Sequence, residues 1–153
     1  MPKLYIMRHG QAQNDAPSDI KRRLTHAGQN HIKHYAQQLR ANKITFDWLI
    51  HSNAERARET ARIASTVLGI SAQHQFEDAR IYNAELGNLV AVLNDIDEQL
   101  DCVLLVGHNP GLEALVLALS RQSVGLSTGS VAVVQAESWS DILNSHGRLI
   151  SPW

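Results

Sequence analysis

Cys102-Val103-Leu104-Leu105-Val106 is apolar at every position, and this run constrains the fold more than any other part of the chain. A strand with one wet face alternates apolar and polar residues, so a strand with no polar position is covered on both faces. Sheets covered on both faces are mostly parallel and carry helices above and below. Three further segments, 3–7, 46–51 and 131–136, read as strands, and a weaker fifth lies near 147–150. Helical patterns lie between them. Thr25 caps a helix to about Ala41, with Ile32, Tyr35, Ala36 and Leu39 on one face and Asn42 after its end. Ser52-Asn53-Ala54-Glu55 has the form of a capping box, opening a helix to about Leu68 that Gly69 stops. Residues 86–93 read as a third helix, and Asn109 as cap with Pro110 in the first helical position opens a fourth to about Leu119. The alternation predicts an α/β fold: a single three-layer sandwich, its central sheet mostly parallel, with helices on both faces. No repeat, low-complexity tract or linker divides the 153 residues, which read as one domain.

The totals exclude several classes of function. With 44% hydrophobic and 19% charged residues the chain is of ordinary globular composition. A formal net charge of -1 gives no global basic field for nucleic acid or an anionic membrane, so any anion site must be local. Cys102 is the one cysteine, which rules out an internal disulfide and a CxxC metal pair. The eight histidines include no HExxH pair and no Cys/His ligand spacing. The apolar stretch near the N-terminus is too short for a signal peptide or anchor, and no run approaches the roughly 18 apolar residues of a membrane span. The expectation is a cytoplasmic protein.

Ligands of open α/β sheets bind beyond the carboxyl ends of the strands. The first expected strand runs into Arg8-His9-Gly10. The second ends at His51-Ser52 and leads into a helix carrying Arg56 at about its fourth position, and the third ends in Gly107-His108-Asn109-Pro110-Gly111. If these strands are parallel, two histidines, two arginines and two helix N-termini meet at one rim. Such a cluster suits phosphoryl transfer. Guanidinium forks hold phosphoryl oxygens in pairs, a neutral imidazole can attack phosphorus in line, and a second imidazole can donate to a developing charge. No metal or cofactor is needed if these groups neutralise the phosphoryl oxygens. Arg58 and Arg62 read instead as a solvated helix face with Glu55 and Glu59 as partners, and His31 and His34 as the solvent side of their helix.

These residues carry a family resemblance. Arg8-His9-Gly10 after an N-terminal strand resembles the signature of the histidine phosphatase superfamily, the phosphoglycerate-mutase-like proteins. SNAERARETA (residues 52–61) resembles its second motif, and VGHNPGLE (residues 106–113) its third. LTHAGQ (residues 24–29), the short length and the HNPGLE form of the third motif are similar to the SixA-type phosphohistidine phosphatase branch. The resemblance covers nearly the whole chain. It implies the phosphoglycerate-mutase-like fold, His9 as the phosphorylated nucleophile, Arg8 and Arg56 as phosphate ligands, and His108 as the imidazole that completes the pocket. The branch also has an arginine shortly before its Leu-Thr pair. Arg22 or Arg23 stands there, with Arg22 preferred and Asp19 placed to orient it. Asn109, beside His108, joins the candidate phosphate-binding residues. Mutases and sugar phosphatases of the superfamily tend to have glutamate or serine after the RHG and asparagine seven positions beyond the arginine. Here Gln11 and Ala12 follow, and Asp15 takes the asparagine position, which weakens the case for a sugar phosphate.

An ester substrate would need a general acid for its leaving alkoxide. Glu85, at the start of the third helix, is the one candidate in the right region, and its alternative role is a carboxylate favoured there by the helix dipole. A labile P–N bond relaxes that need. Residues 69–101 already hold one helix, which leaves little chain for an enclosing cap. The expected activity is therefore metal-independent hydrolysis of phosphohistidine on a protein, such as a histidine-containing phosphotransfer domain, through a covalent phosphohistidine intermediate. The alternatives are a phosphatase of a small phosphomonoester and a non-catalytic domain that binds phosphorylated partners.

Overall fold

The wholly apolar run forms β4 (Cys102–Gly107), a central strand of the sheet, in a computed structural model that describes residues 1–153. The other strands are β1 (Lys3–Arg8), β2 (Trp48–His51), β3 (Gln75–Glu77), β5 (Val131–Gln135) and β6 (Arg148–Ile150). They form one sheet in the order β3-β2-β4-β1-β5-β6. β1, β2, β3 and β4 pair in parallel, and β5 runs antiparallel to its neighbours β1 and β6.

Alternate residues of β4 enter two cores. Val103 and Leu105, with Leu4 and Ile6, pack under α3 (Leu86–Asn94), α4 (Gly111–Ser120) and α5 (Trp139–Leu143). Leu104 and Val106, with Tyr5 and Met7, pack under α1 (His26–Ala41) and α2 (Glu55–Leu68). None of Val103 to Val106 is more than 1% exposed, so both faces of the strand are dry, as its composition demands. The helices thus lie on both faces of a mostly parallel sheet.

α1 follows its sequence pattern. The Thr25 side chain accepts the Gly28 N–H, and Ile32, Ala36 and Leu39 are buried. Gly28 is needed for close approach, because a Cβ there would stand 2.3 Å from the Gln11 carbonyl oxygen. Other boundaries move for definite reasons. α2 begins at Glu55 with Ala54 as its N-cap; Ser52 does not cap it, since its Oγ accepts the Ala54 N–H and turns to His108. Pro110, not Asn109, is the N-cap of α4, because the Asn109 amide donates to the Leu126 carbonyl instead. β2 starts at Trp48 rather than 46, as the Asp47 carboxylate is taken by the N–H groups of Asp101 and Cys102. Glu85 is the N-cap of α3 and not a member of its first turn. The short β3 and α5 were not expected from the sequence. No helix is long and apolar enough to cross a membrane.

Candidate active site

Strand register builds the site. Arg8 of β1 lies opposite Gly107 of β4, so the next residues, His9 and His108, leave the sheet side by side. Their ring centroids are 5.0 Å apart. On the far side of β4, His51 pairs with Val106, which delivers Ser52 and the N-terminus of α2 to the same rim. Arg56 is the second residue of α2 rather than about the fourth, so its side chain leaves the first turn. Its Nε donates to His9 Nε2 at 3.3 Å.

The partners of His9 decide which nitrogen carries the proton. Nδ1 lies 2.7 Å from the Gly10 carbonyl, which can only accept, so Nδ1 carries the proton and Nε2 keeps its lone pair. Burial lowers the His9 pKa to about 4, with Arg56 and Arg8 adding to the effect against the Gly10 hydrogen bond. His108 is lowered to about 3, again first by burial and then by His9 and Arg56. Both rings are neutral at pH 7. Behind them the Gly10 N–H donates to Thr60 Oγ1, which itself donates to the Arg56 carbonyl, so backbone and side-chain hydrogen bonds tie the end of β1 to the first turn of α2.

Asp19 organises the cationic side. Its backbone carbonyl accepts Arg56 Nη1 at 2.8 Å and its carboxylate accepts Arg56 Nη2 at 3.2 Å, Arg22 Nη1 at 3.1 Å and the Tyr82 hydroxyl. These donors, the Tyr82 hydroxyl first, hold the Asp19 pKa down at about 2. Arg22 is further fastened by the Gln13 carbonyl and Asn14 Oδ1, so it reaches the rim already engaged by protein acceptors. Arg23 points away to Glu59, 3.8 Å distant. Arg8 donates through Nη1 to the Leu126 carbonyl at 3.0 Å, while its Nε is buried with no acceptor. Asn109 donates to the same carbonyl at 2.7 Å and leaves Oδ1 buried without a partner. Arg56, Glu85, His108 and Asn109 line a cavity of about 310 Å³, where the Glu85 carboxylate is exposed to solvent.

The structure therefore brings Arg8, His9, Arg56 and His108 together, with Asn109 and Glu85 on one wall and Arg22 behind Asp19. It corrects one expected pairing. Glu59 is 8% exposed and accepts the Leu24 N–H, so it is not a surface partner of Arg58 or Arg62. Arg58 pairs with Glu55 and Glu77. Three residues of the site went unassigned from sequence. Ser52, fully buried, lies 2.8 Å from His108 Nε2. Tyr82 sets its ring edge-on to His108 at 5.6 Å, and Thr60 supports the loop at His9. Ser52 and Thr60 stood inside the second motif; nothing in the sequence marked Tyr82.

Neighbouring parallel strands of an α/β sheet thus deliver a pair of imidazoles to one rim, with an arginine donating to one of them. Residues 4–80 match the family model of the histidine phosphatase superfamily (branch 1), and the chain belongs to that superfamily. An uncharacterized protein of Mycobacterium tuberculosis is 31% identical over 149 residues, covering 89% of this chain and 91% of that protein. Solved structures share the fold. The protein histidine phosphatase SixA complexed with tungstate matches with a TM-score of 0.82 at 24% identity, covering 98% of this chain and 97% of that one. The ecdysone phosphate phosphatase of Bombix mori, also with tungstate, matches at 0.74 and 12% identity over 99% and 93%. A mycobacterial glucosyl-3-phosphoglycerate phosphatase matches at 0.71 and 16% identity over 98% and 97%.

Proposed function

We propose that this chain is a metal-independent phosphatase that hydrolyses phosphohistidine on a protein, through a phosphohistidine formed on its own His9. The observation that carries the reading is the His9 ring: buried, neutral, with Nδ1 bound to the Gly10 carbonyl and Nε2 beside the Arg56 guanidinium. In the first step the Arg56 Nε–H turns from Nε2 to a phosphoryl oxygen, the freed Nε2 lone pair attacks phosphorus as the P–N bond to the substrate imidazole breaks, and the leaving nitrogen takes a proton from solvent. The Gly10 carbonyl stabilises the positive charge that the His9 ring gains. In the second step water attacks phosphorus, the Nε2–P bond breaks, and inorganic phosphate leaves with His9 neutral again.

Arg8 and Arg56 hold the phosphoryl oxygens as forks, with Arg22 and Asn109 at the edge of the same set. His108 donates to the charge that develops in transit. The buried Ser52 hydroxyl needs an acceptor for its proton, and His108 Nε2 is in reach at 2.8 Å. That places the ring proton on Nδ1, a buried atom with no acceptor in the protein. A phosphoryl group would supply acceptors for His108 Nδ1 and Arg8 Nε together.

The substrate is read as a phosphorylated protein, for example a histidine-containing phosphotransfer domain. The segment between α2 and β4 folds as β3, α3 and short turns, with no cap over the rim, and the SixA structure that shares this fold is named a protein histidine phosphatase. One observation favours the alternative, a small phosphomonoester: Glu85 lines the cavity beside His108, where a general acid for an alkoxide would stand. The test compares turnover of a phosphohistidine-bearing phosphotransfer protein with a panel of phosphate esters. The expected result is kcat/KM at least about 10²-fold higher on the phosphoprotein, a margin consistent with a missing acid for esters. Equal or faster ester turnover would reverse the assignment.

A further inference from the structure

We propose that Glu113 is a positioning residue for the phosphate site, holding Leu126 so that its carbonyl fixes Arg8 and Asn109. Glu113 ends the VGHNPGLE motif, and no part of the chemistry above uses it. It stands in the first turn of α4, where an acidic residue needs no reason beyond the helix dipole. The structure gives it a second task. Its Oε2 accepts the Leu126 N–H at 2.8 Å. The Leu126 side chain is 4% exposed and packed in the core under α3 and α4. The Leu126 carbonyl then receives Arg8 Nη1 at 3.0 Å and Asn109 Nδ2 at 2.7 Å.

The loop between α4 and β5 carries no charged residue after Arg121. It acts on the site through its backbone. Besides the Leu126 carbonyl, the Gly129 N–H donates to the Arg8 and His9 carbonyls at 3.1 and 2.9 Å. β1 thus ends in a clamp whose far side is anchored to α4 by Glu113. An arginine whose fork is held before the ligand arrives has less freedom to lose on binding. The motif's glutamate and its Asn109 meet at one residue, Glu113 accepting the Leu126 N–H and Asn109 donating to the Leu126 carbonyl.

This inference rests on the reading of Arg8 as a phosphate ligand. The test is calorimetric titration of inorganic phosphate into the wild-type protein, Glu113→Ala, Glu113→Gln, Arg8→Lys and the Arg8→Lys/Glu113→Ala double variant, each with a thermal melt. Glu113→Ala is expected to weaken phosphate binding about tenfold, the scale of a lost supporting hydrogen bond around a ligand site. Glu113→Gln keeps an acceptor oxygen and should bind within about twofold of wild type. In the Arg8→Lys background the alanine change should cost clearly less than in wild type, the mark of two residues acting as a unit. If Glu113→Ala does not fold, Glu113→Asp, one methylene shorter, takes its place with the same expectations. Phosphate affinity unchanged in Glu113→Ala, or lost equally in both backgrounds, would overturn the inference and leave the proposed function standing. A wild-type protein that binds no phosphate would overturn both.

Discussion

An imidazole is a nucleophile only while one nitrogen keeps its lone pair, and two features of His9 serve that condition. The Gly10 carbonyl holds the proton on Nδ1, and burial keeps the ring from gaining a second one. Arg56 is the residue most directly coupled to the other ring nitrogen, Nε2, to which its Nε donates, while Asp19 grips both of its other nitrogens. Arg58 and Arg62 lie on the exposed side of the same helix. Arg56→Ala should therefore lower kcat by about 10² or more, the usual loss for a removed charge-stabilising donor. Steady-state assays of Arg58→Ala and Arg62→Ala should stay within a fewfold of wild type; comparable losses at all three would contradict the placement of α2. The convergence of Arg8, His9, Arg56 and His108 was legible because each sits at a strand end or in the first turn of the following helix, in a recognisable motif. Ser52 was misread, since a serine before a helix serves equally as cap or as partner of a distant ring. Only the pairing of β2 with β4 brings it to His108.

At the scale of elements, what positions the site is contact between the segment after His9 and the first turns of α1 and α2. Gly28 lets α1 lie against Gln11, and a Cβ there would meet the Gln11 carbonyl oxygen at 2.3 Å and its nitrogen at 3.0 Å. Gly69 ends α2 with φ of 71°, with nothing within 4 Å of an added Cβ. Two alanine substitutions should separate these roles. Gly28→Ala should cost about 1–3 kcal/mol by overpacking and also reduce turnover, because it displaces the backbone next to His9. Gly69→Ala should cost about 1 kcal/mol through backbone strain and leave turnover unchanged. Denaturant melts with parallel assays check both, and a Gly28→Ala protein of full activity would show that α1 does not position the site. The wholly apolar β4, the Thr25 cap and the buried stripe of α1 were readable because local chemistry and tertiary packing agree there. β3 and α5 were not. A three-residue edge strand and a five-residue helix are too short to show a period.

For the whole molecule, folding holds two histidines neutral at one rim with pKa values of about 4 and about 3. In the unfolded chain each returns to about 6.5. Between pH 6.5 and 4 the unfolded state therefore binds protons that the native state refuses, so stability falls as pH falls through that window. The slope is about 1.4 kcal/mol per pH unit for each histidine, and it vanishes above pH 6.5, where both states are neutral. Urea melts of the wild type and a His108→Gln variant at pH 4.5 to 7.5 should show a shallower slope in the variant; equal slopes would mean that the ring is not held neutral by the fold. The same depression keeps the His9 ring neutral from pH 7 down to about pH 4. The account as a whole depends on a covalent bond forming at that nitrogen. Rapid quench of the enzyme in mid-turnover with radiolabelled phosphohistidine protein, followed by peptide mapping, measures it directly. The prediction is acid-labile phosphate on the peptide carrying His9, at Nε2, absent from His9→Ala. Phosphate found on another residue, or an enzyme that turns over fully without His9, would contradict it.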